Sequence, residues 1–199
     1  MQSLPENLLV SKSPKLHSFF AKKHPSKLQQ AISAFEMAAD HDGIREFGFE
    51  RKVGINFNPR PARIPLIADQ FNDGFEPDLF VACILTSIPA EHLKLLLPNL
   101  ELTFNKNIHQ LLQNFIQNQD SIERSDEINS ETSRFYYLNI FNFLDRLRHS
   151  HLANKIELDY CLRNFEFFYR KIPPNQTKLA LVFKTWHKRS QINLERNKF

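Results

Sequence analysis

All four glycines of this 199-residue chain, at positions 43, 48, 54 and 74, fall in one stretch. The rest of the chain lacks the residue that strands and hairpins use for tight turns, so the distribution predicts an all-helical fold. Proline marks where helices begin. Ser13-Pro14, His24-Pro25, Glu76-Pro77 and Ile88-Pro89 each place proline where a first-turn N–H would have no intrahelical partner anyway. Apolar periodicity then predicts helices near 14–22, 26–40, 61–72, 77–87, 89–97, 106–118, 131–149, 155–171 and 175–189, a bundle of about seven to nine. Residues 118–132 are polar and acidic and are expected to form a mobile loop. Residues 1–25 are expected to be an N-terminal extension with a short helix, 26–190 one helical domain, and 191–199 a disordered tail.

Composition limits the functional classes. At 42% hydrophobic and 24% charged residues, the chain has ordinary globular content. It has no signal-peptide pattern and no apolar run of membrane-spanning length, so no membrane role and a cytoplasmic location are expected. Cys83 and Cys161 lie in apolar helical context without zinc-type spacing, which favours reduced, buried thiols. The formal charge of +4 is concentrated in AKKHPSK at 21–27 and in KTWHKRSQINLERNK near the C-terminus. No base-reading or aromatic-stacking motif accompanies that charge, so nucleic acid is not the expected partner.

Three stretches stand out. ACILTSIPAE, 82–91, reads as a helix buried on every face that ends in two hydroxyls, Thr86 and Ser87. ERKVGINFNPRP, 50–61, crowds cations and an aromatic around a glycine. In FNFLDRLRHS, 141–150, Asp145 follows Leu138 and Phe141 on the apolar stripe of its own helix, where a charge needs a partner. His41, His109, His149 and His151 are candidate metal ligands, but none sits in a recognisable ligand spacing. His149, one turn after Asp145, more simply makes a surface hydrogen bond.

Together these residues resemble the RelA/SpoT-type alarmone hydrolases, a branch of the HD-domain phosphohydrolases. Arg51, Lys52, Gly54, Phe57, Arg60 and Pro61 follow that family's Arg-Lys-x-Gly-x-x-Tyr-x-x-His-Pro loop, with arginine in the place of histidine. GFEPDLFVACILTSIPAE is similar to the helix that carries the His-Asp pair and, just beyond it, a Glu-Asp pair. The pairs fall on Thr86 and Ser87, and on Ala90 and Glu91. NFLDRLRH is similar to Lys-Leu-Ala-Asp-Arg-Leu-His-Asn, which puts Asp145 on the last metal-ligand aspartate. The similarity extends over about residues 26–190 and implies an HD-like bundle.

The departures imply lost chemistry. An HD site holds a divalent ion with imidazole and carboxylate, and the ion generates the attacking hydroxide. Here the four ligand positions read Arg60, Thr86, Ser87 and Asp145. A guanidinium cannot ligate, and two neutral hydroxyls are poor substitutes. The catalytic Glu reads as Ala90. The resemblance thus implies a degenerate, non-enzymatic module without metal or cofactor, which binds a guanine nucleotide or a protein partner. Arg51, Lys52, Arg146 and His149 are its nucleotide-side candidates. Two alternatives stay open: a phosphohydrolase with an altered metal site, and a basic helical protein that contacts nucleic acid or another chain through its C-terminal surface.

Overall fold

A computed structural model describes residues 8–41, 59–71, 74–120, 130–148 and 155–196. The described residues form ten α-helices and no strand. The helices are α1 (Leu8–Lys12), α2 (Pro14–Lys23), α3 (Leu28–His41), α4 (Arg60–Asp69), α5 (Pro77–Leu85), α6 (Ala90–Thr103), α7 (Lys106–Asp120), α8 (Ser130–Arg148), α9 (Lys155–Arg170) and α10 (Thr177–Arg196). A single 3₁₀ turn, Pro25–Lys27, leads into α3. The all-helical expectation holds, and nine of the helices correspond to the nine predicted segments. No helix among the described residues is long and apolar enough to cross a membrane. The chain divides into two compact units, residues 1–116 and 117–199.

In the first unit α5 is the central element. Every residue from Leu79 to Leu85 is buried, as the unbroken apolar run requires. It packs on α3 and α4. The facing side of α3 carries Ala31, Ala34 and Ala38, buried at i, i+3 and i+7, small enough to let backbones approach closely. α1 and α2 pack on α3 as well, so the N-terminal segment belongs to this unit's core through Leu9, Leu16 and Phe20.

The helix boundaries depart from the sequence expectation in three places. α6 does not stop at 97 but runs through Pro98 to Thr103. Proline removes one intrahelical bond, but Pro98 is exposed, where water can replace it, while Leu93 and Leu100 anchor both halves on the buried side. α10 continues to Arg196, past the expected start of a disordered tail at 191, with Ser190 fully buried and its hydroxyl donating to the Trp186 carbonyl at 3.0 Å. Pro89 occupies the N-cap of α6 rather than its first turn.

One carboxylate ties the first unit together. Asp78, in the first turn of α5, meets Lys27 Nζ at 2.6 Å. Asn105 Nδ2 donates to its two oxygens at 3.0 and 3.1 Å, and Asn107 Nδ2 donates to Oδ2 at 2.8 Å. Asn105 also caps α7, its Oδ1 accepting the Ile108 N–H at 2.9 Å. Two separate segments, the turn ahead of α3 and the start of α7, therefore converge on one side chain of α5 that is 14% exposed. Burial pushes the Asp78 carboxyl up, but Lys27 and the two amides outweigh it and hold it below the usual carboxylate range.

A second cluster surrounds His24. Its ring stacks on Phe80 at 5.1 Å and lies edge-on to Phe19 at 5.2 Å. Nε2 is buried without a hydrogen-bond partner. Burial pushes the imidazole below its ordinary range, Asp69 raises it, and Lys23 lowers it.

The second unit is built from α8, α9 and α10, each packed on the other two. Aromatic stacking forms its core: Phe143 lies 4.3 Å from Phe168 and 5.5 Å from Phe183, with Phe165 5.7 Å from Phe183.

These contacts set two expectations. Asp78→Ala should cost about 2–3 kcal/mol in urea unfolding at neutral pH, the scale of hydrogen bonds to a charged group. Because the folded-state carboxyl is depressed, its contribution is present above the unfolded carboxylate pKa and fades as pH falls through the folded value. Wild type and variant should therefore converge in acid. For His24 the depressed imidazole stabilises the fold above the unfolded histidine value near 6.5, and that contribution is lost as pH falls below it. His24→Phe should flatten the stability profile in that window; an unchanged slope would contradict the assignment.

Candidate functional site

Thr86 and Ser87 are settled first, because their backbone already explains much of their chemistry. α5 ends at Leu85, and the chain tightens into a turn in which Ser87 N–H donates to Ile84 O at 3.3 Å and Ile88 N–H to Leu85 O at 3.1 Å. The Thr86 hydroxyl donates to the Cys83 carbonyl at 2.8 Å, and the Ser87 hydroxyl to the Ile84 carbonyl at 2.9 Å. Both residues are buried, 3% and 2% exposed. A hydroxyl has one proton to donate, and each gives it to a carbonyl of its own helix end. The hydroxyls thus finish a buried helix that has no water to cap it.

The other candidate positions fall as follows. Arg60 opens α4, following Pro59 at its N-cap. Ala90 and Glu91 form the first turn of α6, with Glu91 exposed. These lie in the first unit with Thr86 and Ser87; Asp145 and Arg146 lie in the second. Arg51, Lys52 and His149 lie outside the described residues, as do Gly54, Phe57 and His151.

Asp145 is 2% exposed on α8, in the apolar setting its spacing predicts, beside buried Leu138, Phe141 and Leu144. It does not stand alone as a polar group. Asn139 and Asn142 precede it at i−6 and i−3, 5% and 7% exposed, and Asn142 Nδ2 donates to Leu138 O at 3.0 Å. The result is a polar row along a helix that is otherwise apolar. Its signal was present in the sequence as Asn-x-x-Asn-x-x-Asp within YYLNIFNFLDRL, a helical spacing in an apolar run. Arg146 points the other way: it is exposed, its guanidinium 5.1 Å from the Tyr160 ring. Burial pushes the Tyr160 hydroxyl up, Arg146 draws it down, and the net direction is upward.

Among the candidate histidines, His41 closes α3 with its ring 5.3 Å from that of His92. His109 lies in the first turns of α7, its N–H donating to Asn105 O at 3.2 Å. Among the described residues no group of three or more His, Cys, Asp or Glu is placed to hold a metal ion. Cys83 and Cys161 are both free and buried, and burial pushes the Cys83 thiol far up.

Compared with known proteins, the chain matches no family model, no curated protein and no solved structure.

A thiol reagent tests the closed helix end directly. Cys83 supplies the carbonyl that accepts from Thr86, and its thiol is buried and protonated. Native protein should therefore show no fast-reacting thiol at neutral pH, and Thr86→Val, which strands the carbonyl at a cost of about 1–2 kcal/mol, should raise the Cys83 labelling rate. Rapid labelling of Cys83 in the wild type would show that this end is open.

Proposed function

We propose that this chain is a catalytically degenerate HD-type module that binds a nucleotide or a protein partner and regulates without hydrolysing a substrate. The observation that carries the reading is the state of the two hydroxyls. At the positions where the RelA/SpoT-type frame holds its His-Asp pair, Thr86 and Ser87 are buried and donate to Cys83 O and Ile84 O at 2.8 and 2.9 Å. A metal-binding pair needs an imidazole nitrogen and an anionic oxygen turned toward the ion. Two neutral hydroxyls folded back on their own helix offer neither.

Within this reading Asp145 keeps the family's last ligand position, and one carboxylate is too little to fix a divalent ion. Ala90 carries no group that could take or give a proton, and Glu91 is an exposed residue of a helix's first turn. Of the positions that the resemblance sets against a guanine nucleotide, Arg146 is the one among the described residues, exposed and with its guanidinium 5.1 Å from the Tyr160 ring.

Metal analysis, a hydrolysis assay and thermal shift together test this. The purified protein should carry well under one manganese, iron or zinc per chain, and should release no pyrophosphate from guanosine tetraphosphate with manganese added. A guanine nucleotide at a hundred times its dissociation constant should raise stability by about 2.7 kcal/mol, visible as a higher Tm. One tightly held metal per chain, with pyrophosphate release that disappears in Asp145→Ala, would replace this reading with that of an active phosphohydrolase.

A further inference from the structure

The outer face of α10 is cationic. From Thr177 to Ile192 the helix contains Lys178, Lys184, Lys188 and Arg189 and no acidic residue. At 100° per residue, Leu179, Phe183 and Ser190 form the buried side. Opposite them lie Leu181 and Ile192, 66% and 40% exposed. Lys184 and Lys188, one turn apart and both exposed, line one flank of this strip. Exposed Arg189 lines the other, one turn beyond Trp186.

One flanking cation and one cation of neighbouring α8 stand over aromatic rings. Lys184 Nζ stands 4.9 Å above the Tyr169 ring, and the Arg148 guanidinium 5.6 Å above Trp186, adding a fifth cation beside Arg189. Neighbouring α9 contributes exposed Arg163 and Arg170, and its only exposed acid among the described side chains is Glu166. In the linear sequence these charges have no aromatic partners; the fold supplies them.

We propose that this face of α10 binds the phosphate backbone of nucleic acid without reading bases. The strip from Leu181 to Ile192 is about 16 Å long by helical rise, enough to follow several phosphates of one strand. Cations held over rings lose less side-chain freedom on binding, and their outward N–H groups suit phosphate oxygens. An anionic lipid surface fits less well, because among the described side chains of α10 the large exposed apolar residues are Leu181 and Ile192, and the broad apolar side of the helix is already buried in its own unit. An acidic protein fits less well too, since the buried centre of a protein interface is depleted in lysine. This inference is independent of the degenerate-site reading, which concerns other residues.

Fluorescence anisotropy with a labelled single-stranded RNA of mixed sequence, on the full chain, tests it. Lys184, Lys188 and Arg189 should give a log–log salt slope of about −2 on a single strand, so affinity should fall roughly twentyfold between about 50 and about 200 mM salt. The triple variant Lys184→Glu, Lys188→Glu, Arg189→Glu should lose more than tenfold of the low-salt affinity with an unchanged circular dichroism spectrum. Should that variant not fold, Lys188→Ala and Arg189→Ala alone should each reduce the slope by about 0.7. The proposal is overturned by no RNA binding at low salt, by variants that bind as wild type does, by binding to phosphatidylserine vesicles but not to RNA, or by polyglutamate competing as well per charge as RNA.

Discussion

A short helix buried on every face creates a problem at each of its ends, and the first unit is organised around solving it. α5 contributes seven consecutive buried residues, Leu79 to Leu85, and so cannot turn a polar side to water. Its terminal N–H and C=O groups must find partners inside the protein or cost the desolvation of each. At the N-terminal end the carboxylate of Asp78 complements the helix dipole and gathers Lys27, Asn105 and Asn107 around it. At the C-terminal end Thr86 and Ser87 return their hydroxyl protons to Cys83 O and Ile84 O. With both ends closed, α3 can lay its alanine stripe against the helix and α4 can pack beside it.

The Asp78 cluster does more than cap. Lys27 ends the 3₁₀ turn ahead of α3, and Asn105 is the N-cap of α7, so their common partner couples the entry points of three helices. The charge is only partly enclosed, which lets the hydrogen bonds and the lysine outweigh the burial that opposes ionisation. A fully apolar substitute could fill the same space but could not satisfy the two asparagine amides, one of which belongs to a helix cap. The cluster is therefore specific to this arrangement of helices.

How much of this was legible in the sequence follows from range. Local signals were readable: the confinement of glycine, proline at helix starts, and the apolar period together locate nine helices, seven of them to within a few residues at both ends. The burial of Asp145 was readable too, since Leu138 and Phe141 share its stripe. The Asp78 cluster was not, because Lys27, Asp78, Asn105 and Asn107 are far apart in the chain and each looks like an ordinary polar residue. Pro98 misled for a physical reason: proline usually ends a helix, but on an exposed face the lost bond is tolerable and Leu100 gains burial by continuing. For the two hydroxyls the sequence showed only that an apolar helix ends in polar side chains; at 3% and 2% exposure they close the buried end of that helix.

Neutral polar groups in a core can be satisfied locally, whereas a charge must be matched across space. In the second unit, Asn142 and Ser190 donate to carbonyls of their own helices, so aromatic rings are free to fill the space between α8, α9 and α10. Lys171 is buried against the Tyr136 and Phe167 rings, while other cations stand exposed beside rings: Arg146 over Tyr160, Arg148 over Trp186, Lys184 over Tyr169. Such pairs leave the charge at the surface while ordering the side chain that carries it. An aromatic core whose outermost rings reach the surface thus produces an ordered cationic rim as a consequence of how it packs. A rim of that kind is available for a polyanion without any further device, which is why the chemistry of this unit is read more directly from its exposed face than from its interior.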